Sequence, residues 1–335
     1  MSPALIRPGP GGARVQVVIV SPVLADANNG NWRTAQRWQR FLSPVADVRI
    51  VTAWPDARAI GDDVMIALHA RRSAGAVAAW HAARGSRGLA VVLTGTDLHR
   101  DIHDSPLAIA SLDHAQALVV LHERGIAALP AGVQGKARVI LQSASGRQPV
   151  VKTPRHLNVL VVGHLRSEKS PETVFAAARM LRGQPDIRFR HIGQALEPLL
   201  AEQAIACGRD CPAYRWLGGL PHDRVRRAIQ RAHVLLHSSR MEGGANVVIE
   251  AITSGTPVLA SAVDGNIGLL GEDYPGYFPW GDVAAVAGLL KQLRREQAAD
   301  DGLLARLTAR ALARAPRFLP ARERQDVRQL VADLA

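Results

Sequence analysis

The sequence predicts two α/β domains, each built on a parallel sheet covered by helices on both faces. Three observations carry this. The 335 residues exceed what one core usually fills and suit two domains of about 150 residues each. Short, continuous apolar runs recur along the chain, followed by stretches with apolar residues at helical spacing. The series breaks once, at the polar segment SASGRQPVVKTPRH, and then starts afresh.

A Pro/Gly-rich tail, residues 1–13, precedes the strand VQVVIVSP and the helix WRTAQRWQRFL. VRIVTAW, a helix over residues 74–83, LAVVLTGTD, QALVVLH and ARVILQS continue the alternation and place a first domain at 14–152. LNVLVVGHL, IRFRHIG, YRWLGGL, HVLLHSS and TPVLASA are the strands of a second domain, 153–315. Ser170 and Pro171 read as a helix start, the serine capping an orphan N–H and the proline having none to leave unpaired. Gly255 reads as the close of a helix that begins near Gly244. Beyond Gly281 the chain is helical, and FLPARERQDVRQLVADLA repeats Val327, Leu330, Val331 and Leu334 on one face.

Hydrophobic residues make up 47% and charged residues 21%, which is globular rather than disordered. The net charge of +12 is compatible with nucleic acid, an anionic membrane surface or anionic small substrates. The excess is spread, with 17 basic and 10 acidic residues over 1–152 against 24 and 19 over 153–335. With 4% aromatic residues and no nucleic-acid-binding motif, a nucleic-acid partner is not expected. Arginine supplies 37 of the 41 basic residues, which coding bias alone could produce. Cys207 and Cys211 cannot complete a zinc site by themselves and are expected to be free and reduced. The start MSPALIRPGPGGARV lacks an apolar run of signal-peptide length, and no stretch approaches about 18 apolar residues. The expectation is a cytoplasmic protein without stable membrane association.

Parallel sheets bind ligands beyond the carboxyl ends of their strands. Four such places carry chemistry. In GHLRSEKSPET, the basic residues His164, Arg166 and Lys169 sit between a strand end and a helix start, a setting suited to a diphosphate. In SSRMEGGANVVIEA, Glu242 and Glu250 flank Gly243, Gly244, Ala245 and Asn246; the glycines admit close approach of a ligand, and a carboxylate can accept from a ribose diol. In ADANNGNWRTAQRW, Asn28, Asn29, Gly30, Asn31 and Arg33 are expected at the tip of a loop. In LTGTDLHRDIHDS, Thr94, Gly95, Thr96 and Asp97 follow a strand end, with His99 and Arg100 beside them.

Two further patterns fail. HRDI lacks the asparagine, lysine and metal-binding motif that accompany a kinase catalytic loop. His99 and His103, with Asp101 and Asp104, lack the glutamate of H-E-x-x-H, and no D-x-D occurs, so neither a metal nor another cofactor is expected.

The first two segments, in this order, resemble the donor site of the family 4 glycosyltransferases of the GT-B fold, in which two Rossmann-like domains face an interdomain cleft. The resemblance implies that the diphosphate rests on the positions of His164 and Lys169, where the family's arginine is replaced by His164 and Arg166 is the other basic side chain of the loop. It implies that Glu242 lies at the sugar and Glu250 on the nucleotide ribose, with EGGA departing from the commoner EGFG. Glu242, Lys169 and Arg166 are then the residues expected to serve the reaction, and the N-terminal loops to seat the acceptor. The terminal residues 316–335 are expected to cross back to the first domain, as is common in that fold. NGNWRTAQRW, LTGTDLHRDI, SSRMEGGANVV and GNIGLLGEDYPGYFPWGD resemble the selenosugar synthases among these enzymes. That resemblance implies the joining of selenophosphate to a UDP-sugar, typically UDP-N-acetylglucosamine, in selenoneine biosynthesis. Arg33, His99 and Arg100 are the cations expected near the anionic nucleophile. The alternatives are a glycosyltransferase with a lipid or polysaccharide acceptor, and a basic nucleic-acid-binding protein.

Overall fold

The structure, a computed structural model, describes residues 14–22 and 30–335. They form two compact units. One comprises the chain up to Ser143 with Glu242–Gly244 and Pro320–Ala335; the other comprises Ala144–Met241 and Ala245–Leu319.

The first unit contains β1 (Gln16–Val20), α1 (Gly30–Leu42), β2 (Asp47–Val51), β3 (Val64–Leu68), α2 (Ala74–Arg84), β4 (Leu89–Leu93), α3 (Ile102–Asp104), α4 (Pro106–His114), β5 (Ala117–Val120) and β6 (Ala137–Val139). The strands pair in parallel in the order β2-β1-β3-β4-β5-β6. Alternate residues of each strand point to opposite faces. Val17, Ile19, Ile66, Val92 and Val119 pack with Trp38 and Leu42 of α1, whereas Val18, Met65, Val91 and Leu118 pack with Val77 and Trp80 of α2 and Leu112 of α4. Both faces are therefore covered, which is why VMIAL and LAVVL are apolar at every position. The sequence pattern did not anticipate β3. Its connection from β2 holds only a 3-10 turn, Ala59–Gly61, so the strand-helix alternation skips it.

The second unit contains β7 (Leu157–Val162), α5 (Pro171–Met180), β8 (Ile187–Ile192), α6 (Pro198–Asp210), β9 (Tyr214–Trp216), α7 (His222–Arg231), β10 (Val234–His237), α8 (Asn246–Ile252), β11 (Val258–Ser261), α9 (Asp264–Leu270), β12 (Tyr277–Phe278), α10 (Val283–Arg295) and α11 (Leu303–Arg314). Its parallel order is β12-β11-β10-β7-β8-β9. The short β12 also escaped the sequence pattern. The helix expected from Gly244 starts at Asn246 and ends at Ile252, with Gly255 beyond it at φ 64. Ser170 does not cap α5 with its side chain. It lies in the left-handed region, φ 46, where its hydroxyl cannot reach the first turn; Oγ instead accepts from Trp280 Nε1 at 2.9 Å.

The last helix, α12 (Pro320–Leu334), packs within the first unit. Val327, Leu330, Val331 and Leu334 enter the same core as Trp38 and Leu42 of α1. Glu323, 1% exposed, accepts from Trp38 Nε1 (2.7 Å), Arg37 Nε (2.7 Å) and Ser143 Oγ (2.5 Å). Three donors on one carboxylate satisfy a charge that burial would otherwise penalise.

Candidate functional site

In each sheet the strand order reverses direction once, between β1 and β3 in the first unit and between β7 and β10 in the second. Ligand crevices of open parallel sheets form at such switch points.

In the second unit, Gly163 follows β7 and His237–Ser239 end β10 and follow it. With Lys169 and Pro171 they line a small pocket of about 10 Å³ at the start of α5. The stem of Lys169 lies over Gly163, with its Cγ 3.5 Å from where a Cβ of that glycine would be. Ser238 Oγ is 3.0 Å from the Lys169 carbonyl and 3.2 Å from that of Ser170, which ties this turn to β10. Arg166, partly exposed, has Nε 3.9 Å from Glu168 Oε2. His164 turns its Nδ1 to the Gln194 N–H at 3.0 Å, so part of its role is to join the β7 and β8 loops.

Under Gly163 lies a buried brace. His191 is 2% exposed, and burial pushes its imidazole down to about 4, so the ring is neutral at pH 7. A carbonyl only accepts, so Nε2–H donates to Gly163 O (3.3 Å) and Nδ1 accepts from Tyr214 Oη (3.1 Å). Gly193 must lack a side chain here, since a Cβ would stand 1.8 Å from Gly163 O. Glu250, 7% exposed on α8, meets His222 at the start of α7, with Nε2 to Oε1 at 2.6 Å. His222 was not singled out in the sequence; as a lone histidine after a proline it carries no pattern.

In the first unit, Asp97 is fully buried. Its Oδ1 accepts from the N–H groups of Thr94 (2.8 Å) and Gly95 (2.9 Å), and its Oδ2 from that of Ala70 (3.0 Å). The carboxylate shapes the loop from within. His69, at φ 75, follows β3 and also escaped the sequence pattern, because that strand did. Burial lowers its imidazole against the pull of Asp97, leaving Nδ1 to accept from Arg72 N (3.4 Å) and Nε2–H to donate to Thr96 Oγ1 (3.1 Å). Asp101, in the π-helical turn Asp97–Asp101, binds Arg71 Nε at 2.8 Å and Arg100 Nε at 3.1 Å. Burial would raise its carboxyl, but those two bonds outweigh it and hold it below the ordinary range.

His99 Nε2 donates to the Glu242 carbonyl at 2.8 Å, and its ring stacks on His122 at 5.8 Å. A Cβ on Gly243 would stand 2.5 Å from the Gly95 nitrogen, and one on Gly244 would stand 2.7 Å from Leu121 Cβ. The Thr94–Gly95 backbone at Gly243 and the Leu121 side chain at Gly244 leave no room for a Cβ at either position. Gly30, Asn31 and Arg33 form the first turn of α1 rather than a loop tip, with Thr34 Oγ1 bonded to Gly30 O at 2.9 Å. Asn28 and Asn29 lie outside the described residues. Among the described residues no group of three or more His, Cys, Asp or Glu could hold a metal ion, and no helix is long and apolar enough to cross a membrane.

Residues 145–310 match the family model of the glycosyl transferases group 1. A curated relative is the phosphatidylinositol N-acetylglucosaminyltransferase gpi3 subunit of Schizosaccharomyces pombe, 28% identical over 110 residues, or 32% of this chain and 24% of that protein. The chain thus spans about a quarter of the length of that relative. Among solved structures, a sucrose-phosphate synthase from Thermosynechococcus elongatus is similar with a TM-score of 0.77 and 16% identity, covering 96% of this chain and 99% of that one. Anabaena HepE in complex with UDP and glucose is similar with a TM-score of 0.73 and 15% identity, covering 96% and 100%.

Proposed function

We propose, from a group 1 glycosyl transferase domain at residues 145–310 and two parallel-sheet units of the GT-B fold, that this protein is a glycosyltransferase using a nucleotide diphosphate sugar. The observation that carries this is the strand-end pocket at the β7/β10 switch point, where Lys169 lies over Gly163 at the start of α5. In this reading 14–152 is the acceptor domain, 153–315 the donor domain and 316–335 a helix returning to the first.

Lys169 and Arg166, with His164 beside them, hold the diphosphate. Glu250 accepts from the ribose hydroxyls. Glu242 and the Gly243–Asn246 segment meet the sugar, and Asn28–Asn31, Arg33, Thr94–Asp97, His99 and Arg100 line the acceptor side. Fixed cations at the leaving diphosphate stabilise the charge that develops as the bond to the sugar C1 breaks, without a metal ion. Structural neighbours solved with UDP support a uridine nucleotide.

The finer reading is a selenosugar synthase. A selenium lone pair of selenophosphate forms the new bond at C1 of the UDP-sugar, UDP-N-acetylglucosamine being the first choice, and UDP departs with the bonding electrons. The strings NGNWRTAQRW and GNIGLLGEDYPGYFPWGD support this reading. A lipid acceptor is the second reading, supported by the named substrate of the fission-yeast relative. Incubation with a panel of UDP-sugars, with and without selenophosphate and in the presence of EDTA, is read by mass spectrometry. A selenium-bearing sugar formed in EDTA is expected. Transfer only to a lipid extract would replace the acceptor assignment, and turnover restored only by a divalent ion would overturn the metal-free site.

A further inference from the structure

The head of Glu250, assigned above to the nucleotide ribose, is held by a neighbouring helix. Glu250 sits on α8 with its side chain 9% exposed, while the imidazole that meets it belongs to α7 and is 50% exposed. The Nε2 to Oε1 distance of 2.6 Å is at the short end for a hydrogen bond to a carboxylate. One turn further along α7, Arg226 is 5% exposed; its Nη2 donates to Ser145 O (2.7 Å) and lies 3.3 Å from Ser254 Oγ, and the Glu250 charge acts on it. Ser254 Oγ in turn donates to the main-chain carbonyl of Glu250 at 2.7 Å. The residue is thus held at its backbone by Ser254 and at its carboxylate by His222.

A carboxylate accepts on both oxygens, with about four lone-pair positions in all. The His222 bond at Oε1 restrains the rotation of the group. That is the arrangement needed to present acceptors to a vicinal diol, whose two hydroxyls must be met at once. A side chain that rotated freely would lose part of each bond in ordering itself on binding.

We propose that His222 is a positioning residue that orients Glu250, so that selectivity for ribose over 2′-deoxyribose resides in the His222–Glu250 pair; this rests on the reading that Glu250 meets the nucleotide ribose. A role confined to clamping α7 against α8 predicts a change in stability alone. A positioning role predicts a change in the ratio of two affinities, which loss of a helix contact does not produce.

The test is calorimetry with UDP and 2′-deoxy-UDP on the wild-type protein and on His222→Ala, His222→Gln and Glu250→Ala. The wild type is expected to prefer UDP by roughly 10- to 100-fold, the worth of one hydrogen bond to a charged group. His222→Ala should bring the ratio to within about threefold of one, mainly through weaker UDP binding. His222→Gln, whose amide N–H can reach the same oxygen, should recover part of it. A His222→Ala protein with unchanged melting temperature and the full wild-type ratio, beside a Glu250→Ala protein that has lost it, overturns the proposal while leaving the donor site standing. UDP binding whose ratio survives Glu250→Ala removes the ribose assignment and the proposal together. A wild type that binds no UDP removes the donor reading itself.

Discussion

The carboxylates that shape the first unit point inward. Asp97 accepts from three backbone N–H groups, Asp101 joins Arg71 to Arg100, and Glu323 gathers Trp38, Arg37 and Ser143. In the second unit the buried brace beneath the strand end is a neutral imidazole, His191, and the charged side chains Arg166 and Lys169 remain partly exposed at the rim. The difference is physical. A buried charge is stable only with its partners in place, so removing one partner strands the rest; a neutral brace leaves the charges above it at the surface.

The largest effect expected from this contrast follows deletion of the chain from Pro320 onward. Val327, Leu330, Val331 and Leu334 are at most 3% exposed, and burying each is worth about 1.5–3 kcal/mol, so their sum approaches the whole stability of a domain. The first unit should fail to fold, seen as lost cooperative melting. A truncated protein that melts as the full chain does would show that α12 is dispensable.

Glu323→Ala isolates the charge from the apolar stripe. It leaves Trp38 N–H and Arg37 without their acceptor and should cost about 3–5 kcal/mol in denaturant unfolding. A loss below about 1 kcal/mol would mean that water replaces the carboxylate.

His191 sharpens the comparison through pH. Its folded value, about 4, lies below the ordinary 6.5, so between those values the unfolded chain binds a proton that the folded chain refuses. Stability supported by the neutral ring is complete above about pH 6.5 and declines as pH falls towards 4, by about 3 kcal/mol in all. Unfolding of His191→Leu measured at pH 7 and pH 4.5 should show a smaller difference than wild type. Equal differences in the two proteins would reject the brace.

The smallest effects belong to nucleotide binding. Lys169→Ala and Glu250→Ala should each weaken UDP binding by about 1.5–3 kcal/mol, and Lys169→Ala, at a partly exposed side chain, should leave melting little changed. Calorimetry checks both, and a change in one alone would assign the donor contact to that side chain only.

The central strands were legible because fully buried parallel strands must be apolar at every position, as VVIV and LAVVL are. The loops beyond them were legible for the same reason. His69 was lost with β3, whose connection lacks the helix that the alternation requires, and His222 was lost because a single histidine has no periodicity. Ser170 looked like a cap in one dimension, but its left-handed backbone sends the hydroxyl to Trp280, 110 residues away.

The sequence by itself determined that the chain builds two parallel sheets and marked their strands apart from β3 and β12, since burial of both faces is written into local apolar runs. It also marked the strand ends at which basic and acidic side chains gather. Tertiary structure alone decided which of those charges look inward. Glu323 and Trp38 are 285 residues apart, and Glu250 and His222 are 28 apart. A hydrogen bond depends on a few tenths of an ångström between its atoms, and only the packing of separate helices and strands sets that distance.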